Sequence, residues 1–376
     1  MPKIIFWTAR VFFATVFIFS GFVKAIDPLG AMYKFQDFFV AFGMELLFPV
    51  ALPLAVLLST FEFVVGFAFL FGLKMLFFAP TGLALMAVFA PATIYIAMTD
   101  PVPHCGCFGD AIVISNQATA YKNLLLLAAA AVVFFNKNRI RALFPSIISS
   151  LSILAAAALI SGLSVYCLKY LPIIDFRPWK VGSNIAELVA TPPDTSGRIT
   201  LVFENRETGE TRFYPADDYP WDDPEWADLW QYKTRLETTA PQVVSPIGNF
   251  DIVDEWGSDR TGSIVADPGY LYLVVAYNLS TANSRAFEIK LAGLAEEAQK
   301  GDYDFIVLTA SPLDIIDAFK EKHAAGYPFF RSDERELKTI IRSNPGLVLM
   351  KDGMVLGKWS HANMPSFEHI RNKYKQ

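Results

Sequence analysis

Cysteine is scarce in this 376-residue chain: it has three, and none follows Cys167. So few thiols exclude a small scaffold stapled by disulfides. Charge is also sparse, at 18% of residues, with a formal net charge of −5. A balance this mild does not suggest a nucleic-acid partner. No Cys-X-X-Cys pair occurs. What the chain has in excess is apolar surface, and it is unevenly spread. Before about residue 172 the sequence reads as membrane; after it, as soluble. The chain is too long for one ordinary domain.

Five segments are long enough to cross a bilayer, which needs about 20 apolar residues. They run over Ile4–Ile26, Leu46–Gly72, Met75–Met98, Ala118–Phe135 and Ile147–Leu171. The fourth has the shortest apolar core, because Lys122 and Asn123 interrupt it. The first is longer than the apolar core of a signal peptide, so a retained helix is expected. Basic residues in short loops set orientation. Lys137, Arg139 and Arg141 place the loop between spans four and five inside, together with Lys3 and Lys74. The loop before span four then lies outside, as does everything after span five. The chain is expected to have a cytoplasmic N-terminus and an extracytoplasmic C-terminal domain.

Two of the cysteines fall in that outer loop, in His104-Cys105-Gly106-Cys107-Phe108-Gly109-Asp110. Cys167 is expected at a similar depth, near the outer end of span five. Disulfides form and persist in an oxidising compartment. A Cys-X-Cys pair can close a strained disulfide, since two residues of chain give a Cα separation near the upper part of the allowed range. Gly106 supplies the backbone freedom. Strained, exposed disulfides tend to be catalytic or regulatory. His104 is a candidate proton donor or acceptor, or a group that lowers a neighbouring thiol pKa. Cys167 is a candidate resolving thiol, or a buried inert one. Three readings of the cluster stay open: a redox-active pair, a structural clamp, and metal binding by His104, Cys105 and Cys107. The third lacks the usual four-ligand spacing of a structural zinc site.

Three further charges stand out. Arg10 and Glu62 fall inside spans, where ionisable residues are costly and usually paired. At about 1.5 Å per residue they lie about 9 Å and about 15 Å from the cytoplasmic ends, within reach of an arginine. They are expected to form an intramembrane polar pair, either fixing helix register or serving a polar path. Lys24 either snorkels to the headgroups or approaches the cysteine loop and favours a thiolate.

The soluble half begins with an extended exit, Leu171-Pro-Ile-Ile-Asp175-Phe-Arg-Pro-Trp179, with Trp179 a candidate interface anchor. Arg198–Phe203 and Glu210–Tyr214 read as a hairpin. Asp217–Trp230 is acidic and aromatic, read as a packed turn region or a peptide or sugar site. From about Phe250 the pattern becomes α/β. Strands are expected at Tyr270–Tyr277 and Phe305–Leu308, and helices at Ser284–Gln299, Leu313–Lys322 and Glu334–Arg342. A hairpin is expected over Lys351-Asp352-Gly353. His323, His361 and His369 are scattered and read as surface residues; no metal site is expected.

Two resemblances follow. Arg10-Val-Phe-Phe-Ala-Thr-Val-Phe-Ile-Phe-Ser20-Gly21-Phe-Val-Lys24-Ala-Ile-Asp27-Pro28, with the glutamate of span two, resembles the DoxX-like membrane family. His104-Cys-Gly-Cys-Phe-Gly-Asp110 resembles the cysteine motif of its methylamine-utilisation branch, MauE. That likeness covers about residues 1–140 and implies a four-helix membrane bundle. It also implies redox maturation of periplasmic partners, with a general likeness to quinone-coupled disulfide enzymes of the vitamin K epoxide reductase type. Residues 246–376, with Pro345 just before a strand, resemble the thioredoxin-like fold, and Pro345 matches that family's cis-proline position. The family's cysteines are absent; Leu279-Ser280-Thr281-Ala282-Asn283 stands there instead. The fusion resembles a form found in Bacteroidetes-type DoxX family proteins. These resemblances imply that the membrane is a bacterial inner membrane and the outer side the periplasm.

The fold expected is therefore mixed: an α-helical membrane bundle followed by an extracytoplasmic α/β domain with a β-rich insert. Its parts are 1–140 (bundle), 141–171 (fifth span), 172–245 (β-rich linker) and 246–376 (thioredoxin-like domain). The function expected is thiol/disulfide exchange through Cys105 and Cys107, with a periplasmic thiol partner or a membrane quinone. No bound cofactor is required by the residues. The alternative is a non-enzymatic scaffold with a structural cysteine loop and a peptide-binding tail.

Overall fold

The computed structural model describes residues 3–190, 199–206, 208–215, 219–220, 223–237, 247, 250–301 and 303–374. Six helices open the chain: α1 (Lys3–Ile26), α2 (Pro28–Ala41), α3 (Ala51–Phe71), α4 (Met75–Thr99), α5 (Asn116–Phe135) and α6 (Ser146–Tyr170). Among the described residues, five stretches are long and apolar enough to cross a membrane: Lys3–Ile26, Glu45–Phe71, Met75–Thr99, Asn116–Phe135 and Ser146–Tyr170. These are the five expected spans, with ends shifted by at most two residues. Pro80 and Pro91 both lie inside the continuous α4.

Helix α2 stands where a loop was expected. The Asp27 carboxylate accepts a hydrogen bond from Gly30 N at 2.9 Å, and Pro28 occupies the first helical position. Asp followed by Pro is a strong helix-start pair: one supplies the cap, the other the preset φ.

Helices α1 and α3 pack closely because two glycines let them. A Cβ on Gly21 would lie 2.6 Å from Phe63 N and Ser59 O; one on Gly66 would lie 2.7 Å from Ile18 N. Small residues at such crossings let backbones approach. The two contacts also fix register. Residue 21 sits opposite 59–63, and residue 18 opposite 66.

The C-terminal region is mixed α/β. β1 (Ile199–Asn205), β2 (Thr211–Pro215) and β3 (Trp230–Glu237) form an antiparallel sheet of order β2-β1-β3. The expected acidic-aromatic stretch before β3 lies partly outside the described residues. A second sheet holds β4 (Tyr270–Val275), β5 (Tyr303–Thr309), β6 (Phe329–Arg331), β7 (Gly346–Lys351) and β8 (Met354–Ser360) in the order β6-β5-β4-β7-β8. β4, β5 and β6 are parallel, and β7 runs antiparallel to both of its neighbours, β4 and β8. The Asn344–Pro345 peptide, just before β7, is cis.

Strand alternation splits the core into two faces. Tyr272, Val274, Val307, Leu347 and Leu349 pack under helical residues such as Phe287, Leu291, Ile316 and Ile370. Leu271, Leu273, Ile306, Leu308 and Val348 pack on the other side under Leu337, Ile340, Ile185 and Trp179. Trp179 is fully buried there, edge-on to Phe250 at 5.1 Å, and is no interface anchor. Gly182 and Ile185 donate backbone hydrogen bonds to Val355 O and Gly353 O, both at 2.8 Å. The chain is thus part of this core within about ten residues of α6.

Candidate functional site

The His104–Asp110 loop joins α4 to α5, and both of its ends are fixed. Asn116 at the start of α5 donates through Nδ2 to Asp100 Oδ1 (3.0 Å) and Val102 O (2.9 Å). Ser115 caps α5 by accepting from Ala118 N. Between these anchors Gly106 and Gly109 take positive φ of 73° and 54°. A Cβ on Gly106 would lie 2.9 Å from Lys34 Cγ, so glycine lets α2 press on the loop there.

This turn brings the two thiols together. Cys105 Sγ and Cys107 Sγ lie 3.4 Å apart, as free cysteines in hydrogen-bond contact. The contact splits their acidities. The hydrogen bond from Cys105 holds Cys107 below the usual thiol range, and Lys122 and Lys24 add to this against its burial. The same hydrogen bond, with burial, pushes Cys105 up. Burial and Lys34 push His104 below its usual range, which favours a neutral ring. No hydrogen bond from His104 to either thiol occurs among the described residues.

The polar end of α1 closes in on Cys107. Lys24 Nζ donates to Cys107 O at 2.9 Å, to Ser20 Oγ at 2.6 Å and to Glu62 Oε2 at 2.7 Å. Ser20 Oγ also donates to Cys107 O at 2.8 Å. Glu62 therefore pairs with Lys24, and the expected Arg10–Glu62 pair is corrected. Arg10 lies at the far end of α1, where Nε donates to Phe69 O (2.6 Å) and Nη2 to Leu70 O (2.9 Å). There it satisfies last-turn carbonyls of α3, which need such partners. The glycine crossing explains the change: it sets Arg10 opposite the end of α3, about ten residues of helix, or about 15 Å, from Glu62.

Below the thiols lies a cavity of about 650 Å³. Its walls come from α1, α2, α3, α4 and α5 and are mostly apolar, with Phe17, Phe35, Phe39, Phe89 and Tyr95 among them. Its head is polar: Cys105, Cys107, Lys24, Lys34, Lys122, Glu62 and Asn123 all line it. Lys122 Nζ sits 4.3 Å from the Phe108 ring centroid. Asn123 Nδ2 reaches Thr93 Oγ1 at 3.1 Å across the α4–α5 packing. Sequence reasoning treated Lys122 and Asn123 only as a weakness of span four. Two adjacent polar residues in a span were the available signal.

Cys167 is buried on α6, 2% exposed. Among the described residues it makes no hydrogen bond to the other thiols. No cluster of three or more His, Cys, Asp or Glu suited to a metal gathers among the described residues.

Several contacts span the two halves of the chain, among them Ser360 Oγ donating to Lys169 O at 2.9 Å and Lys338 Nζ 4.8 Å from the Tyr33 ring centroid. Arg342, just before β7, reaches Asp27 at the start of α2 and Asp110 on the cysteine loop. Nothing in the sequence signalled it, because the partners lie hundreds of residues apart.

Residues 2–136 match the family model described as Methylamine utilisation protein MauE. The match covers α1 to α5 and the whole cysteine loop. The chain is a membrane protein by its five apolar helices and this likeness. No curated protein and no solved structure matches it.

Proposed function

We propose that the chain is a membrane thiol/disulfide redox protein acting through Cys105 and Cys107 in the maturation of proteins outside the cytoplasm. One observation carries this reading: the two thiols touch at the cationic head of an apolar cavity. A thiolate is the attacking species in disulfide exchange, and nearby cations favour it. Lys24 and Lys122 supply them, with Glu62 holding Lys24 in place. Cys107 is thus the more acidic thiol of the reduced pair, the one that loses its proton first.

With the pair oxidised, a partner thiolate attacks one of its sulfurs and forms a mixed disulfide. The displaced thiolate takes a proton, and the partner's second thiol closes the partner's own disulfide. The partner loses two electrons and two protons; Cys105 and Cys107 hold them as a dithiol. A membrane quinone entering the cavity would accept two electrons and two protons. The lining suits such a substrate. Aromatic walls cover an apolar tail, and Lys122 offers N–H donors to a ring oxygen. His104 and Cys167 remain candidates for proton transfer and resolution.

The basic residues Lys74, Lys137, Arg139 and Arg141 lie at the other end of the bundle, which supports an extracytoplasmic cysteine loop. The strand order of the C-terminal sheet, and a proline opening β7, support the thioredoxin-like reading of residues 246–376. With no cysteine, that domain would hold or orient a partner rather than exchange thiols. The scaffold reading draws support from that same lack.

Thiol trapping in cells decides between them. The expected outcome is a mixed disulfide to a partner in Cys105→Ser or Cys107→Ser, and a wild-type redox state that follows the quinone pool. A pair fixed in one state under every condition would leave only the scaffold.

A further inference from the structure

We infer that Arg342, carried by the C-terminal region, is a positioning residue for the dithiol. This rests on the redox reading of Cys105 and Cys107. The guanidinium is buried, 7% exposed as a residue, and every edge of it is used. Nε lies 3.0 Å from both Asp27 oxygens, and Nη2 lies 2.8 Å from Asp27 Oδ2. Nη2 also reaches Asp110 Oδ2 at 3.2 Å, while Nη1 donates to Lys338 O. Its flat face lies 5.3 Å from the Tyr33 ring centroid on α2. A Cβ on Gly30 would come within 2.9 Å of Nη2, so the glycine leaves room for the approach.

The two carboxylates are chemically different targets. Asp27 starts α2, whose Lys34 side chain presses on Gly106. Asp110 belongs to the cysteine loop itself, three residues after Cys107 and beside the positive-φ Gly109. Arg342 therefore ties the α2 wall of the cavity and the far end of the loop to one rigid group. It also neutralises a carboxylate that would otherwise oppose a thiolate on the same loop.

Oxidation has to work against this tie. The sulfurs lie 3.4 Å apart, and a disulfide brings them to about 2.05 Å. The two side chains rotate to close that gap, and the part of the closure taken up by the loop backbone, through Gly106 and Gly109, pulls on Asp110. In that step each thiol gives up a proton and the pair gives up two electrons to the partner disulfide or quinone. The strength of the Arg342 tie therefore enters the dithiol–disulfide equilibrium. By linkage, oxidation changes the docking of the C-terminal region by the same factor. A region with no cysteine would thus set the redox poise of the bundle and report its state.

The test uses the full-length protein in detergent, equilibrated with mixtures of reduced and oxidised glutathione. The oxidised fraction of Cys105–Cys107 is read by alkylation mass shift in a Cys167→Ala background. Arg342→Gln removes both ties. Asp110→Asn removes only the loop tie and leaves the Arg342–Asp27 dock. Arg342→Lys keeps the charge without the fork. Arg342→Gln and Asp110→Asn are expected to shift the equilibrium constant at least threefold in one direction, and their double variant by no more than Arg342→Gln alone. Arg342→Lys should fall between them and wild type. Folded Asp110→Asn protein with a wild-type constant would overturn the positioning role, even if Arg342→Gln does not fold. A wild-type pair that never responds to glutathione would overturn the redox reading itself, and with it this inference.

Discussion

The bundle and the C-terminal region solve packing in opposite ways. In the α/β region both sheet faces are filled, and β7 is buried along its length from Gly346 to Met350. The bundle instead keeps a cavity of about 650 Å³ and buries Lys24 and Glu62 beside it. Close packing is the norm for protein interiors. An ionised pair within a membrane span is costly. The bundle therefore carries two unfavourable features in one place, next to its only paired thiols. The α/β region also has a groove of about 600 Å³, lined by Lys290, Leu294, Met364 and Arg371, and a buried Lys358–Asp175 pair, but the groove meets no cysteine and the pair lies outside the membrane spans.

The sharpest way to break this contrast is to delete one feature from each half. Cys107→Ser should abolish electron transfer to an added quinone, with little change in thermal unfolding. Leu349→Ala should cost about 2–5 kcal/mol of stability, while the folded fraction keeps its dithiol chemistry. Quinone reduction by the pre-reduced protein, alongside a melt, reads both. Quinone reduction that survives Cys107→Ser would remove the thiols from the pathway.

Next comes the buried pair. Lys24→Met leaves Glu62 without its cation and should cost about 3 kcal/mol. Lys24→Met with Glu62→Met should regain most of that, yet both proteins should alkylate more slowly at neutral pH. If the double variant alkylates at the wild-type rate, Lys24 is structural only.

The glycines give a smaller, paired comparison. Gly66→Ala drives a Cβ into backbone at Ile18 and should cost about 1–3 kcal/mol. Gly293, on a helix of the α/β region, has nothing within 4 Å of an added Cβ. Gly293→Ala should be stabilising by about 0.5–1 kcal/mol. Equal effects in a melt would mean that the α1–α3 approach is looser than the contact distances imply.

The smallest effect concerns acid. Asp27 is buried, which opposes its charge, but Arg342 and then Arg177 hold its carboxyl below the usual range. A depressed carboxylate contributes fully above its unfolded value and is lost as pH falls through the depressed one. The Asp27 contribution to docking of the α/β region should thus be constant from about pH 8 to about pH 5, and weaken only below the ordinary carboxylate value of about 3.9, separately from any change near pH 7 where buried Lys358 loses its proton. Protease access to residues 171–178 would report it. Loss of docking near neutral pH would point to a different controlling group.

Much of this was legible in the sequence, for reasons that differ by element. The spans are written as apolar length, and length survives folding. The cysteine loop is written as a motif between two such lengths. Lys24 was named as a candidate beside the thiols, and the structure places it against Cys107 O. Its partner was misread, because helix register depends on which small residues meet, and Gly21 and Gly66 were not weighed. Helix α2 was missed although Asp27-Pro28 announced it. Strand β6 has three residues and too little pattern to see. The Arg342 contact could not be read at all, since no local rule relates residue 342 to residues 27 and 110.

The short connection after α6 has a consequence for competition. Helix α6 ends at Tyr170, and Arg177 is already buried, with Nη1 donating to Thr339 O. About seven residues at about 3.5 Å each let the α/β region swing no more than about 25 Å. A group held on so short a leash sees its own binding site at an effective concentration in the millimolar range. Any free protein that seeks Asp27 and Asp110 must outcompete that local supply. Weak visitors would be turned away, and only a partner with additional contacts elsewhere would gain the loop.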